Sequence, residues 1–180
     1  DQEIEDGIAE IRQKYEGQEV LKFEDRLDWF EASLDWNCYF WKDENTLESI
    51  IKQISLSLKN KGYFIGTCPN GDMIHNLLKD NKAIRNKAVQ IDKLYNTADK
   101  QVGNKITFML SGTLYFGENM ISEEFLVYEH TFKPLCMKYS MFPIEYKSFE
   151  SLYNDSYQLN EESKHASFVN CAFVFQKREN

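Results

Sequence analysis

Only 8 glycines, 3 prolines and 3 histidines occur among the 180 residues, which excludes collagen-like and low-complexity disordered chains. The longest apolar runs are short, as in Cys171-Ala172-Phe173-Val174-Phe175. They fall far below the roughly 20 residues that cross a bilayer, so no membrane partner is expected. The chain opens on Asp1, and acidic Glu3, Glu5 and Asp6 stand where a signal or transit peptide is basic. That start reads as a processed, trimmed or partial chain. Cys38, Cys68, Cys136 and Cys171 lack C-x-x-C spacing and sit in apolar surroundings. This is the pattern of buried thiols in a reducing, intracellular compartment, and no metal site is expected. His75, His130 and His165 stand far apart, and H-E-x-x-H, G-x-x-x-x-G-K, G-x-S-x-G and G-x-G-x-x-G are all missing. Hydrolase, P-loop and nicotinamide chemistries lose support accordingly.

What is present is an ordinary globular composition, 42% hydrophobic and 14% aromatic with a net charge of −8. A chain of this length buries about two-thirds of its unfolded surface, so one domain over 1–180 is expected. Charge is unevenly spread. Residues 1–50 carry 5 basic and 15 acidic side chains, whereas 79–105 carry 7 basic and 3 acidic ones. The second segment reads as a basic insertion, and a polyanion would approach it.

Periodicity divides the chain into alternating helices and strands. Ile4, Ile8, Ile11 and Tyr15 predict an amphipathic helix over 2–16, and short strands follow at 20–23 and 29–34. Leu47, Ile50, Ile51, Ile54 and Leu58 predict a helix with Asn45 and Glu48 as its capping pair, closed by Lys61-Gly62. Tyr63-Phe64-Ile65-Gly66-Thr67 suits a buried strand, Cys68-Pro69-Asn70-Gly71 a turn, and Asp72 the cap of a short helix through Leu78. Strands are expected at 106–110 and 113–116, a helix at 130–140 with Pro134 near its start, an extended stretch at 142–146 and a last strand at 168–175. This order predicts an α/β domain with a mostly parallel sheet and an antiparallel last strand at an edge.

Six of the 13 residues from Trp29 to Trp41 are aromatic, following a strand where an α/β fold presents its binding crevice. Such rings suit a nucleobase as well as a core. Next, Gly62-Tyr63-Phe64-Ile65-Gly66-Thr67-Cys68-Pro69-Asn70 closely resembles the G-G-Y-F-I-G-T-T-P-N signature of eukaryotic and viral mRNA cap guanine-N7 methyltransferases. Glu124-Phe125-Leu126-Val127-Tyr128 is similar to their E-F-L-V-Y stretch. Lys138-Tyr139-Ser140-Met141, Tyr146-Lys147-Ser148-Phe149 and Ala172-Phe173-Val174-Phe175-Gln176-Lys177 keep the family's order, and Ile8 to Tyr15 resembles the helix after its second strand.

The resemblance implies a Rossmann-like fold dependent on S-adenosylmethionine, with a capped mRNA 5′ end as partner. Guanine N7 already carries a lone pair, so attack on the sulfonium methyl needs proximity and orientation, and no general base is expected. In the family the glutamate matching Glu124 accepts hydrogen bonds from the guanine Watson–Crick edge, and a carboxylate there also stabilises the charge developing on the methylated ring. Pro69 would line the guanine pocket, and Tyr39 matches the tyrosine of the F-x-x-H-Y motif. Glu24 or Asp25 would lie beside the adenine of the cofactor. Lys82, Arg85 and Lys87 are the candidates for the RNA beyond the cap.

The chain departs from the family where Phe and His of F-x-x-H-Y fall on Asp35 and Cys38, and where the tyrosine that packs on the guanine falls on Asn170. A shift of one residue would let Trp36 or Phe40 replace a lost ring. The glycine-rich loop that approaches S-adenosylmethionine belongs ahead of Asp1, so the N-terminal strands are missing. The expectation is therefore a partial domain, inactive alone, completed by an upstream segment, by other capping-enzyme domains or by a subunit completing the sheet. A non-catalytic RNA-binding or stimulatory subunit of a capping complex, and a methyltransferase of this fold with another substrate, stay open as alternatives. Expected location is nuclear for a cellular chain and host cytoplasm or virion for a viral one.

Overall fold

The computed structural model describes residues 27–32, 40–110, 122–154, 156 and 158–178. The helix expected at 2–16, the strands expected at 20–23 and 113–116, and Glu24, Asp25, Asp35, Trp36, Cys38 and Tyr39 lie outside them.

Helix α1 (Glu44–Ser57) is built on the expected apolar stripe, burying Leu47, Ile51 and Ile54. Its cap is Asp43, whose carboxylate accepts from Thr46 N and Thr46 Oγ1, each at 2.8 Å. Asn45 does not take that role, because the carboxylate lies one turn before the first buried position, where N–H groups are orphaned. Glu48 instead accepts from Tyr139 O–H at 2.5 Å and pairs with Lys138. The helix stops at Ser57, short of Lys61-Gly62, because buried Leu58 turns extended and opens strand β2 (Leu58–Pro69). Lys61, at φ 69°, marks the irregular point where the ladder to β1 (Leu27–Ala32) skips from Leu58 to Tyr63.

Strand β1 runs parallel to β2, with α1 as the crossover. On the other side β2 pairs antiparallel with β8 (Asn170–Lys177), which pairs antiparallel with β7 (Met141–Ser148). The order β1-β2-β8-β7 corrects two expectations. Among the described residues the sheet is not mostly parallel, because only β1 and β2 are joined by a helical crossover that brings the chain back to the same end. The last strand is antiparallel as anticipated, but it sits between two neighbours and not at an edge. It also runs through Gln176 and Lys177, two residues past the expected end at 175. The Lys177 ammonium is buried and donates to Ser55 Oγ at 2.5 Å, and that hydroxyl donates to Tyr139 O at 2.6 Å.

A second sheet, all antiparallel, has the order β3 (Ala83–Arg85), β4 (Val89–Lys93), β5 (Lys105–Leu110) and β6 (Ser122–Phe125). The basic segment at 79–105 thus supplies its first two strands and enters the third. Helix α2 (Gly71–Leu77) follows β2, and α3 (Glu129–Lys138) follows β6. Pro134 lies in the second turn of α3. The short helices α4 (Phe149–Leu152) and α5 (Glu161–Phe168), which lack an apolar stripe, were not legible beforehand.

Side chains of both sheets join one buried cluster. At its centre Phe132 of α3 meets Trp41 at 5.7 Å, Phe173 at 5.1 Å and Phe175 at 5.2 Å between ring centroids, all edge-on. Phe64 closes the group at 4.9 Å from Phe173. The hydrophobic effect and these quadrupole-matched contacts are concentrated on one ring. Phe132→Ala should therefore lower unfolding free energy by about 3–5 kcal/mol, as a large core truncation does. Urea unfolding of the two proteins measures it, and a loss below about 1 kcal/mol would contradict this account of the core.

Candidate functional site

The carboxyl end of β2 makes a tight junction with two distant segments. Asn70 caps α2 by accepting from Met73 N at 3.1 Å, so the cap is Asn70 and not Asp72. Its own N–H donates to Val169 O at 2.7 Å, and Gly71 N–H donates to Val127 O at 2.9 Å. A Cβ on Gly71 would stand 2.3 Å from Val127 O and 2.7 Å from its carbonyl carbon. Only glycine lets the two main chains approach so closely. Pro69 is paired directly with Asn170 across the β2–β8 ladder. The junction therefore brings together Pro69, Asn170 and the stretch that ends β6.

Glu124 stands on β6 opposite Ile106, which stands opposite Lys93 on β4, so the three share the inner face of the second sheet. Glu124 is 8% exposed, and its Oε1 accepts from Ser122 O–H at 2.8 Å. Lys93 is two strands away, about 10 Å by ladder spacing. Its ammonium donates to Leu78 O at 3.2 Å and lies 4.7 Å from the centre of the Tyr95 ring.

A buried polar relay fixes the residues that follow. Asn104 donates from Nδ2 to Tyr128 Oη at 2.8 Å, and its main-chain O accepts from Leu126 N at 2.9 Å. His75 lies with Nε2 3.1 Å from Ala98 O and Nδ1 3.0 Å from Tyr128 Oη. A carbonyl only accepts, so the network assigns the proton to Nε2, leaving Nδ1 to accept from Tyr128 O–H. Burial holds the His75 pKa below its ordinary 6.5, and nearby Lys100 and Lys93 act in the same direction. Burial likewise raises the Tyr128 hydroxyl and pushes Tyr95, stacked 5.3 Å from His75, up to about 12. All three rings stay uncharged near neutrality. Asp72 adds a further tie, accepting from Glu129 N at 3.3 Å and pairing with Lys100 at 2.8 Å.

Of the expected site residues, the structure joins Pro69 and Asn170 directly and links both to the Glu124 stretch through Val127. Asn170 is buried, and its amide donates to Ala166 O at 3.3 Å and Ser167 O at 3.2 Å, closing the end of α5. Cys38, Tyr39, Glu24 and Asp25 lie outside the described residues, while Phe40 opens a short 3-10 turn, Phe40–Lys42. Lys82, Arg85 and Lys87 lie on or beside the β3–β4 hairpin. Arg85 donates to Gln90 at 2.8 Å and pairs with Asp92, and Lys87 pairs with Glu162 at 3.5 Å. His75 and Asn104 were missed because their partner Tyr128 is 53 and 24 residues away, beyond any local pattern.

Residues 21–173 match the model of the mRNA (guanine-N(7))-methyltransferase domain. The chain belongs to this family. It is also similar to the "Probable mRNA-capping enzyme" of Acanthamoeba polyphaga mimivirus, at 30% identity over 127 residues, 64% of this chain and 11% of that protein. The chain thus spans about a tenth of the length of that curated relative. Among solved structures it is similar to an S-adenosylmethionine-dependent methyltransferase from Clostridium acetobutylicum, with a TM-score of 0.54 and 14% identity over 96% of this chain and 71% of that one. The CcbJ methyltransferase from Streptomyces caelestis gives a TM-score of 0.53 and 11% identity, over 89% of this chain and 61% of that one. These likenesses show the α/β methyltransferase fold. S-adenosylmethionine is the family's cofactor, and the residues expected beside it, Glu24 and Asp25, lie outside the described residues.

His75 makes the relay sensitive to pH. Its folded pKa is lowered, so its contribution to stability is complete above about 6.5 and is lost as pH falls toward the folded pKa. Urea midpoints of the native protein should exceed those of His75→Gln by a constant margin above pH 7, and the margin should shrink between pH 6.5 and 5. A margin independent of pH would show that the imidazole is not held neutral.

Proposed function

We propose that the chain is part of an mRNA cap guanine-N7 methyltransferase, which transfers methyl from S-adenosylmethionine to N7 of the cap guanine, and that its own share is to bind and orient that guanine. The observation that carries this reading is the junction at Gly71, whose N–H reaches Val127 O at 2.9 Å and thereby ties the Pro69 turn to the Glu124 stretch. The family match over 21–173 and the mimivirus relative support it. Glu124 would accept from the guanine Watson–Crick edge, leaving N7 directed at the methyl donor. Catalysis then rests on proximity and on the carboxylate's attraction for the cationic product ring. The viral relative favours action in the host cytoplasm or virion.

Titration with GpppG tests the pocket. Glu124→Ala should weaken binding about 10- to 100-fold, the worth of hydrogen bonds to a charged acceptor, and unchanged affinity would remove Glu124 from the site. Capped RNA beyond the guanine is assigned to the β3–β4 hairpin. Reversing charge at Lys82, Arg85 and Lys87 together should reduce the slope of log K against log salt by about 2 on single-stranded capped RNA. An unaltered slope would send the RNA elsewhere.

The departure at Asn170, with its amide turned onto Ala166 and Ser167, favours a second reading: a non-catalytic RNA-binding or stimulatory subunit of a capping complex. Transfer of radiolabelled methyl to GpppA-capped RNA by the native full-length protein separates the two. Cap binding without transfer would select the second.

A further inference from the structure

Beside Pro69 and Asn170 the same ladder places Cys68 directly opposite Cys171. Both side chains are buried, and their sulfur atoms are 3.3 Å apart. Cys171 Sγ also lies 3.4 Å from Tyr146 Oη and 3.6 Å from Cys68 O, and Cys68 Sγ lies 3.9 Å from Tyr146 Oη. Opposed residues of an antiparallel ladder have Cα atoms about 4.5 or 5.5 Å apart. Both spacings fall within the roughly 4.4–6.8 Å that a disulfide spans. We propose that Cys68 and Cys171 form a dithiol that hydrogen peroxide oxidises reversibly to a cross-strand disulfide, a modification site one ladder step from Pro69 and Asn170.

The two sulfurs differ in environment, which sets the order of events. Cys171 is lowered from its ordinary pKa, first by its hydrogen-bond contact with Cys68 and further by that with Tyr146, against the opposing effect of burial. Cys136, buried with neither partner, is pushed well up by burial alone. Cys171 thiolate is therefore the nucleophile. It attacks one peroxide oxygen, forming S–O as O–O breaks, and the departing hydroxide leaves as water with the proton Cys171 has lost. Cys68 Sγ then attacks the sulfenic sulfur, forming S–S as S–O breaks, and the second hydroxide leaves as water with the Cys68 proton. Two thiols are oxidised and one peroxide is reduced to two waters. The sulfurs close from 3.3 Å to about 2.05 Å, a small movement within adjoining strands. Peroxide is small and uncharged, which suits it to a site that bulky reagents do not enter.

The test needs no folded variant. The native full-length protein is treated with hydrogen peroxide, quenched with acid, unfolded and labelled with N-ethylmaleimide, and its intact mass and peptides are read. The expected result is a species with two fewer maleimide groups, in which the Cys68 and Cys171 peptides are linked and dithiothreitol restores both labels. Cys136→Ser should behave in the same way, and Cys171→Ser should keep its remaining thiols. Full labelling after peroxide, a link through Cys38 or Cys136, or over-oxidation of either sulfur without a link would each overturn the proposal. The outcome is independent of cap binding.

Discussion

Two peptide groups in contact, with no room for a side chain between them, govern this molecule. Gly71 meets Val127 so closely that a single methyl group would strike its carbonyl. On the neighbouring residue Asn70 bonds to Val169. The turn after β2 is thereby bonded to the start of β8 and to the stretch after β6, and the position of Glu124 relative to Pro69 follows from it. Main-chain contacts of this kind carry no rotamer freedom, so the geometry they impose is stiffer than one built from side chains.

The polar relay completes what the junction begins. Tyr128 needs two partners in a place without water, and His75 and Asn104 supply one each. Buried hydroxyls left unpaired are costly, so the relay is satisfied as a unit or not at all. Asn104 works at both ends, with its side chain on Tyr128 and its carbonyl on Leu126. One residue thereby sets the path of the chain leaving β6.

Local signals in the sequence carried the elements that local physics determines. Helix α1 was legible because Leu47, Ile51 and Ile54 form a stripe, and β2 because aromatic and β-branched side chains cluster there. Both caps were misplaced by two residues. Asp43 and Asn45, or Asn70 and Asp72, are interchangeable by type, and only the geometry of the first turn chooses between them. Strand order was not legible, since nothing in 168–175 tells whether that segment lies at an edge or between two others. Pro69 and Glu124 were singled out through motif resemblance, whereas His75 and Asn104 act through contacts across 53 and 24 residues and left no trace in spacing. Asn170 was singled out only from its place in the motif order, and its turn toward Ala166 and Ser167 depends on where α5 ends.

The central place of β8 has a consequence for biosynthesis. Its partners β2 and β7 are both made earlier, and Cys68 must wait 103 residues for its opposite number, Cys171. Until that strand leaves the ribosome, each partner presents an unpaired row of main-chain donors and acceptors to its surroundings. Closure of the first sheet is thus a late, long-range event, the kind that slows folding and exposes a nascent chain to association. Synthesis rate, and whatever shields those two strands meanwhile, become part of how this fold is reached.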